Sequence, residues 1–195
     1  MDFQTLKLRL TGTCPLILHN GHLADPTNEY VRQMKPLVKK RNKTDADYED
    51  LKKLEWLGGL YTDEKGRISV PADMVLGAVI GGARKSKRGK QAEAAILCPE
   101  EDRFFPLLFD GQKQDRDSLY ASGKHCDYRS VVIGKARTMR ARPFFDAWSL
   151  IVKFKVDCTV INLDEVVSAM EAAGHVVGMG DYRPRYGRFS VERVN

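Results

Sequence analysis

The segment Trp148–Val156 constrains the fold most, because its apolar side chains recur at every second position. That period places them on one face of a strand. The same period marks Phe3–Thr11, where Leu6, Leu8 and Leu10 alternate with polar residues. Each strand therefore has one face that needs a covering layer and one that meets solvent or a ligand.

Two helices are predicted to provide that layer. Residues 72–85 are apolar nearly all round and follow Pro71, which suits the first turn of a helix. Residues 162–177 begin at Asn162, an N-cap with Glu165 three residues on, and end near glycines. A chain of 195 residues is long enough to bury a core and predicts one domain.

Together these elements predict an α+β fold with the order βαββαβ. This is the ferredoxin-like order, which RRM-like RNA-binding folds also use. The predicted core comprises strands 3–11, 131–142, 148–157 and 187–194 and helices 72–85 and 162–177. The remaining residues form two long insertions, 12–71 and 86–130, within a single domain over 1–195. Both helices would cover one sheet face and leave the other open.

A loop between the second helix and the last strand is rich in side chains that suit nucleic acid. Gly178, Gly180 and Gly187 permit positive φ and close approach of a ligand. Arginine matches pairs of phosphate oxygens, and tyrosine offers a ring for base stacking. The residues concerned are Tyr182, Arg183, Arg185, Tyr186 and Arg188. The alternative is a tight turn whose arginines are only solvated.

Positive charge is concentrated along the chain. The formal net charge is +6, and four short segments hold 17 of the 32 lysines and arginines. Such clustering favours salt-sensitive contacts with phosphates, so single-stranded RNA or DNA is the predicted partner. The predicted contacts outside the loop, several of them on the open sheet face, are Lys7, Arg9, Lys87, Arg88, Lys90, Arg137, Arg140, Arg142, Lys153 and Lys155.

Other classes of protein are less compatible with this composition. The four cysteines show no short pair spacing, so no metal site is predicted, and no cofactor is predicted either. No stretch of about 18 apolar residues occurs, and the first residues alternate instead of forming a signal peptide. We therefore expect a cytoplasmic protein without a membrane partner.

An enzyme is the main alternative to a binding module. His19, His22 and Asp25 lie three residues apart in a segment rich in turn-forming residues. A histidine there would act as general base near neutral pH, with arginines stabilising the phosphate. The segment is equally compatible with a polar surface loop, and a basic surface is also compatible with an acidic protein partner.

Two segments resemble a known family. Ile68–Arg84 is similar to the strand, proline, small-residue and arginine signature of the RAMP superfamily, whose members build CRISPR effector complexes. Gly178–Phe189 resembles the C-terminal glycine-rich loop of those proteins, and βαββαβ is the fold they share. In this chain Leu76-Gly77 lacks the lysine usual in the signature.

The resemblance implies a non-catalytic, RNA-binding backbone subunit that associates with further copies or with other CRISPR-type subunits. A RAMP-type endoribonuclease is the alternative, and Asp25 is then a candidate because some relatives cut RNA through a loop aspartate. A further alternative is a stand-alone or phage-borne relative that coats single strands or mimics a CRISPR subunit.

Overall fold

The computed structural model describes residues 2–110, 112–134 and 136–194, and it is a mixed α+β structure with antiparallel sheets. Its strands are β1 (Phe3–Gly12), β2 (Leu16–Ile17), β3 (Ser69–Pro71), β4 (Ile96–Leu97), β5 (Phe104–Pro106), β6 (Leu108–Phe109), β7 (Cys126–Ile133), β8 (Ala136–Phe145), β9 (Trp148–Asp157) and β10 (Phe189–Arg193). Its α-helices are α1 (Glu29–Lys39), α2 (Asp45–Gly59), α3 (Ala72–Ala83), α4 (Gly89–Ala95), α5 (Arg116–Ala121) and α6 (Leu163–Ala172).

The chain forms two compact units. The first, here called the sheet unit, comprises Met1–Leu16, Tyr61–Gln112 and Phe145–Asn195. The second, here called the hairpin unit, comprises Ile17–Leu60 and Lys113–Phe144. The prediction of a single domain over residues 1–195 stays a prediction.

The main sheet of the sheet unit has the strand order β10-β1-β9-β4, and each neighbouring pair is antiparallel. β6 also pairs with β9. One face of β1 and β9 is buried, as their alternation predicts, while the other is largely exposed. α3 and α6 contribute buried apolar residues and pack closely, since a Cβ on Gly82 would overlap the carbonyl oxygen of Ala169.

The predicted core strand 131–142 is wrong. The chain reverses at Gly134, whose φ of 60° suits a glycine, and β7 and β8 pair with each other on either side. They join β2 in a separate sheet, and β4 and β6 lie beside β9 instead. Within this smaller sheet, β8 has one face with buried Ala141, Pro143 and Phe145 and one with half-buried Arg140 and Arg142.

The other predicted boundaries differ by a few residues. α3 ends at Ala83 and continues as a 3-10 turn, Arg84–Ser86. α6 ends at Ala172 and continues as a π-helical turn, Ala173–Val177, which stops where Gly178 adopts a φ of 72°. Glycine adopts this backbone conformation at little cost, which suits it to ending the helix here.

In the hairpin unit, α2 begins with a capping box. The hydroxyl of Thr44 accepts a hydrogen bond from the Asp47 amide at 3.3 Å, and the Asp47 carboxylate accepts one from the Thr44 amide at 2.7 Å. Farther along the helix, Trp56 is fully buried and donates from Nε1 to the carbonyl of His125 at 2.6 Å. These bonds fix both ends of α2.

Candidate nucleic-acid interface

The loop Gly178–Phe189, called the arginine loop below, is closed by its own backbone. The Met179 amide donates to the Gly187 carbonyl at 2.9 Å, and the Gly187 amide donates to the Pro15 carbonyl at 2.8 Å. Gly187 has a φ of 73°, and a Cβ there would overlap the carbonyl of Met179. The loop therefore requires glycine at this point, as the sequence predicts.

Cys14, which the sequence interpretation did not single out, connects the arginine loop to the end of β1. Its Sγ accepts a hydrogen bond from the Arg188 amide at 3.2 Å and donates to the Arg185 carbonyl at 3.6 Å. The Cys14 carbonyl in turn accepts a hydrogen bond from Trp148 Nε1 at 2.9 Å. A Cβ at position 12 would overlap the indole ring of Trp148, so glycine at this position leaves the space that Trp148 needs.

With the backbone held in this way, the arginine side chains extend to solvent. Arg183, Arg185 and Arg188 are all exposed, and the ion pairs of the described residues involve other cations. Arg188 donates from Nε to the carbonyl of Pro184 at 2.7 Å, which orients its guanidinium without neutralising the charge. The three side chains can therefore donate hydrogen bonds to phosphate oxygens.

The two tyrosines of the arginine loop form an aromatic pair. The ring centroids of Tyr182 and Tyr186 lie 6.4 Å apart with the planes at 67°, and both side chains are half-buried. The Arg185 guanidinium carbon lies 5.8 Å from the centroid of Tyr186. This arrangement combines a cation with an aromatic surface, the pairing that single-strand binding proteins use for base and phosphate.

An open groove of about 630 Å³ lies beside the arginine loop. Lys85 and Val177 line one part of the groove. Asp181, Tyr182 and Arg183 line another part. Lys85 follows α3 and is exposed. The groove thus brings a fourth cation to the loop, from a basic segment that the sequence also associated with nucleic acid.

The open face of the main sheet carries the predicted cations of β1 and β9. Lys7 lies directly opposite Lys153, and Lys155 lies opposite Thr5. Lys7, Arg9 and Lys155 are exposed, and Lys153 is half-buried. Because β1 rises about 3.4 Å per residue, Lys7 lies roughly 17 Å along the strand from Gly12, which pairs with Phe189 at the end of the loop.

This face is not uniformly positive. Arg9 forms an ion pair with Glu192 of β10 at 3.7 Å. Lys153 approaches Asp102 at 3.3 Å and Glu101 at 3.7 Å. These carboxylates offset part of the positive charge of the sheet face, whereas Arg183, Arg185 and Arg188 form no ion pair among the described residues.

Of the three predicted contacts after α3, one has a structural role. Arg88 is half-buried and forms an ion pair with Glu165 of α6 at 2.8 Å. Lys87 and Lys90 are exposed. The pairing of Arg88 links the segment after α3 to the first turn of α6, where an acidic side chain also suits the helix dipole.

The arginines of β8 do not lie on the open face, and that part of the prediction is wrong. They belong to the sheet of the hairpin unit. Arg140 forms an ion pair with Glu55 of α2, whose other oxygen accepts a hydrogen bond from the Ala141 amide at 3.0 Å. Arg142 is half-buried and only Arg137 is exposed. The Glu55 carboxylate therefore already partners one of the three cations.

The candidate catalytic residues lie in a polar segment of the hairpin unit. His19, His22 and Asp25 are all exposed, and His22 lies in a 3-10 turn, Gly21–Ala24. The amide and hydroxyl of Thr27 both donate to the Asp25 carboxylate at 2.8 Å and lower its pKa. Asp25 is therefore ionised at neutral pH and unsuited to act as a general acid.

No protein-family model matches this chain, and no curated protein matches it. Among the described residues, histidine, cysteine and carboxylate side chains form no group of three that is placed to hold a metal ion. None of the helices in the described ranges has the length and apolar composition needed to cross a bilayer.

Proposed function

We propose that this protein binds single-stranded nucleic acid through the arginine loop, with RNA as the expected ligand. The observation that carries the proposal is the exposure of Arg183, Arg185 and Arg188 on a backbone held by hydrogen bonds to the end of β1. A preformed loop reduces the entropy lost on binding. Three guanidinium groups without carboxylate partners suit successive phosphates.

The expected binding mode is sensitive to salt and largely independent of sequence. Arginine contacts to phosphate release counterions, and Tyr182 and Tyr186 offer rings on which any base can stack. Lys7 and Lys155, exposed on the sheet face, extend the positive surface away from the loop. A strand that follows this surface would contact the loop first, since its charge is less compensated.

The arrangement of the sheet unit supports a ferredoxin-like core. In chain order β1, α3, β4, β9, α6 and β10 follow βαββαβ, and the first and third of these strands are central in the sheet. The second core strand is then β4, with β6 alongside, in place of residues 131–142. An RRM-like core of this kind accords with the resemblance to the RAMP superfamily.

Binding is tested by fluorescence anisotropy with labelled single-stranded RNA, single-stranded DNA and duplex RNA over a range of salt. The triple variant R183A/R185A/R188A is expected to lower affinity for single strands by about 10- to 100-fold. It is also expected to reduce the salt slope by about 2, which corresponds to three lost phosphate contacts. An unchanged slope and affinity would exclude this loop as the site.

A matched control removes the same charge elsewhere. Arg32, Lys35 and Lys39 are exposed cations of α1 in the hairpin unit. The variant R32A/K35A/K39A has the same net charge as the loop variant, and it is expected to lose much less affinity. Equal losses in the two variants would attribute binding to net charge and would count against a defined site.

Assembly along the strand is a further part of the proposal, supported by the resemblance of Ile68–Arg84 and Gly178–Phe189 to RAMP-superfamily segments. The measurement is the mass of complexes formed on RNAs of increasing length. A backbone-like or strand-coating protein adds copies in proportion to length. A protein that stays at one copy per RNA binds as an isolated module.

A further inference from the structure

The short 3-10 turn Glu100–Asp102, called the acidic turn below, meets the open sheet face next to the predicted lysines. Asp102 Oδ2 lies 3.3 Å and Glu101 Oε1 lies 3.7 Å from Nζ of Lys153. Lys153 occupies the middle of β9, opposite Lys7 of β1. Carboxylate oxygens thus occupy the positions around this ammonium group that phosphate oxygens of a bound strand would take.

The contact of Glu101 in the acidic turn is of a kind that a ligand can displace. The Glu101 side chain is 66% exposed and that of Lys153 is 39% exposed, whereas that of Asp102 is 29% exposed with Oδ2 buried. The Glu101–Lys153 ion pair, with this much solvent contact, contributes little to stability and is screened by salt. The pKa of Glu101 is lowered, first by a bond to its own backbone amide and then by the charges of Lys153 and Lys155, so this carboxylate is ionised at neutral pH.

We propose that Glu101 and Asp102 compete with nucleic-acid phosphate for Lys153. The lysine end of the sheet face is then a second anion site, masked by the protein's own carboxylates. This inference depends on the proposed function. It adds that the arginine loop, whose cations have no such competitor, engages the strand first, and that the contact at Lys153 forms only when the acidic turn yields.

The contrast with Arg88 shows why this pair differs from a structural one. The side chains of Arg88 and Lys153 are equally exposed, at 39%, but Arg88 joins the segment after α3 to Glu165 of α6, so its ion pair connects two elements of the sheet unit. Lys153 points to the solvent side of the sheet, and its partners come from a short turn that follows β4. Because Glu101 and Asp102 belong to no strand, releasing their carboxylates from Lys153 breaks no strand pairing of the sheet.

The test uses the full chain with the variant E101Q/D102N and the same labelled single-stranded RNA. Removing the competitor is expected to raise affinity by about three- to tenfold at low salt. The salt slope should become steeper by about 0.7 for each additional phosphate contact. E101Q alone changes a mostly exposed side chain, so it serves as a second variant if the double variant folds poorly.

Two controls separate local competition from net charge. E93Q/E171Q removes two exposed carboxylates of the sheet unit that lie on α4 and α6. The variant K153Q removes the contested cation. The gain in affinity from E101Q/D102N should exceed that from E93Q/E171Q. In the K153Q background the gain should fall below about twofold, because the lysine for which carboxylate and phosphate compete is absent.

The outcomes distinguish this inference from the proposed function. If the wild-type protein binds single strands through the arginine loop and E101Q/D102N gives no gain, the inference alone is overturned. A gain that equals that of E93Q/E171Q, or that persists in K153Q, overturns it as well. If neither the wild type nor E101Q/D102N binds any single strand, the proposed function and the inference are both wrong.

Discussion

Two regions of the molecule have the same arginine content in sequence and opposite arrangements in structure. Residues 183–188 of the arginine loop and residues 137–142 of β8 each contain three arginines in six positions. In the loop all three are exposed, whereas in β8 only Arg137 is exposed and Arg140 is paired with Glu55. Arginine density alone therefore does not define a binding surface.

The backbone explains the difference. A strand directs its side chains to two faces in turn, and in β8 Arg140 and Arg142 lie on the face opposite buried Ala141 and Pro143, where both are half-buried and Arg140 meets Glu55 of α2. In the arginine loop, the main chain is held through Gly187, Pro15 and Cys14, and the side chains that enter the core are Met179 and Phe189 near its two ends, not the arginines. The exposed side chains of Arg183, Arg185 and Arg188 are therefore available to a ligand.

The largest effect is expected from Gly187→Ala, which tests whether the backbone holds the arginines in place. A Cβ there would overlap the Met179 carbonyl at a φ of 73°. Gly66 has a φ of 74° and open space around it, so Gly66→Ala is a matched control that carries only the conformational penalty. In chemical denaturation we expect a loss of about 3 kcal/mol for G187A and about 1 kcal/mol for G66A.

The same pair of variants reports on binding. G187A should weaken single-strand binding at least tenfold at a concentration and temperature where it remains folded, and G66A should leave binding unchanged. If G187A retained full affinity, the exposed arginines would not depend on the shape of the loop. The comparison between the two arginine-rich regions would then rest on exposure alone.

The second prediction compares the replacement of one arginine in each of the two regions. Arg140→Ala removes the partner of Glu55, whose side chain is only 14% exposed, and we expect a loss of about 1 to 2 kcal/mol in unfolding free energy with little change in RNA affinity. Arg185→Ala should do the reverse, with stability within about 0.5 kcal/mol of wild type and affinity lowered about fivefold. Denaturation and anisotropy on both variants provide the four values.

Much of the sheet unit is predictable because its signals are local. The alternation in β1 and β9 and the N-cap at Asn162 each depend on residues close in sequence. The arginine loop is likewise visible from its glycines. In these cases a regular period or a fixed spacing indicates the structure without any knowledge of tertiary contacts.

The errors arise where the signal is short or distant. β4 and β6 contain two residues each, too few for a period to appear, so the sequence places them within the predicted insertion 86–130. Gly134, between two strand-like runs, was the available sign of a hairpin over residues 126–145. The contact of Cys14 with Arg188 spans 174 positions, and no local pattern indicates it.

The third prediction concerns the ion pair of Lys40 with Asp47 in the hairpin unit, which, like that of Arg140 with Glu55, joins a cation to a mostly buried carboxylate. Asp47 accepts a hydrogen bond from Lys40 at 2.6 Å and others from Thr44, and these lower its pKa to about 2 from an ordinary value of 3.8. A carboxyl whose pKa is lower in the folded state stabilises the fold above its unfolded pKa. That contribution declines as the pH falls from about 4 towards 2.

Thermal unfolding at several pH values between 5 and 2 measures this contribution. The wild type should lose stability over that interval, and D47N should lose less because its amide does not titrate. Asp25 also has a lowered pKa, from hydrogen bonds within its own exposed turn, so D25N is the matched control and should reduce the loss by less than D47N does. Identical curves for D47N and wild type would assign the acid sensitivity to other carboxyls.

The smallest effect is expected at Cys14, the residue that joins the arginine loop to β1. Cys14→Ala removes both sulfur hydrogen bonds but leaves the Cys14 carbonyl bonded to Trp148 Nε1 and the flanking bond from the Thr13 amide to the Arg188 carbonyl at 2.9 Å. Sulfur bonds are weak, so unfolding free energy should fall by less than about 1 kcal/mol. Single-strand affinity should fall about two- to threefold, because the main chain between Arg185 and Arg188 loses one of its anchors.

Cys14→Ser separates the hydrogen bonds from the bulk of the sulfur. A serine hydroxyl donates and accepts in the same way, so it should restore most of the affinity that C14A loses, whereas a side chain that only fills space should not. Arg185→Ala in the C14A background extends the test: if Cys14 acts by positioning Arg185, the second change should cost less affinity there than in the wild type. Full additivity of the two changes would show that Cys14 supports the fold and has no part in orienting the arginines.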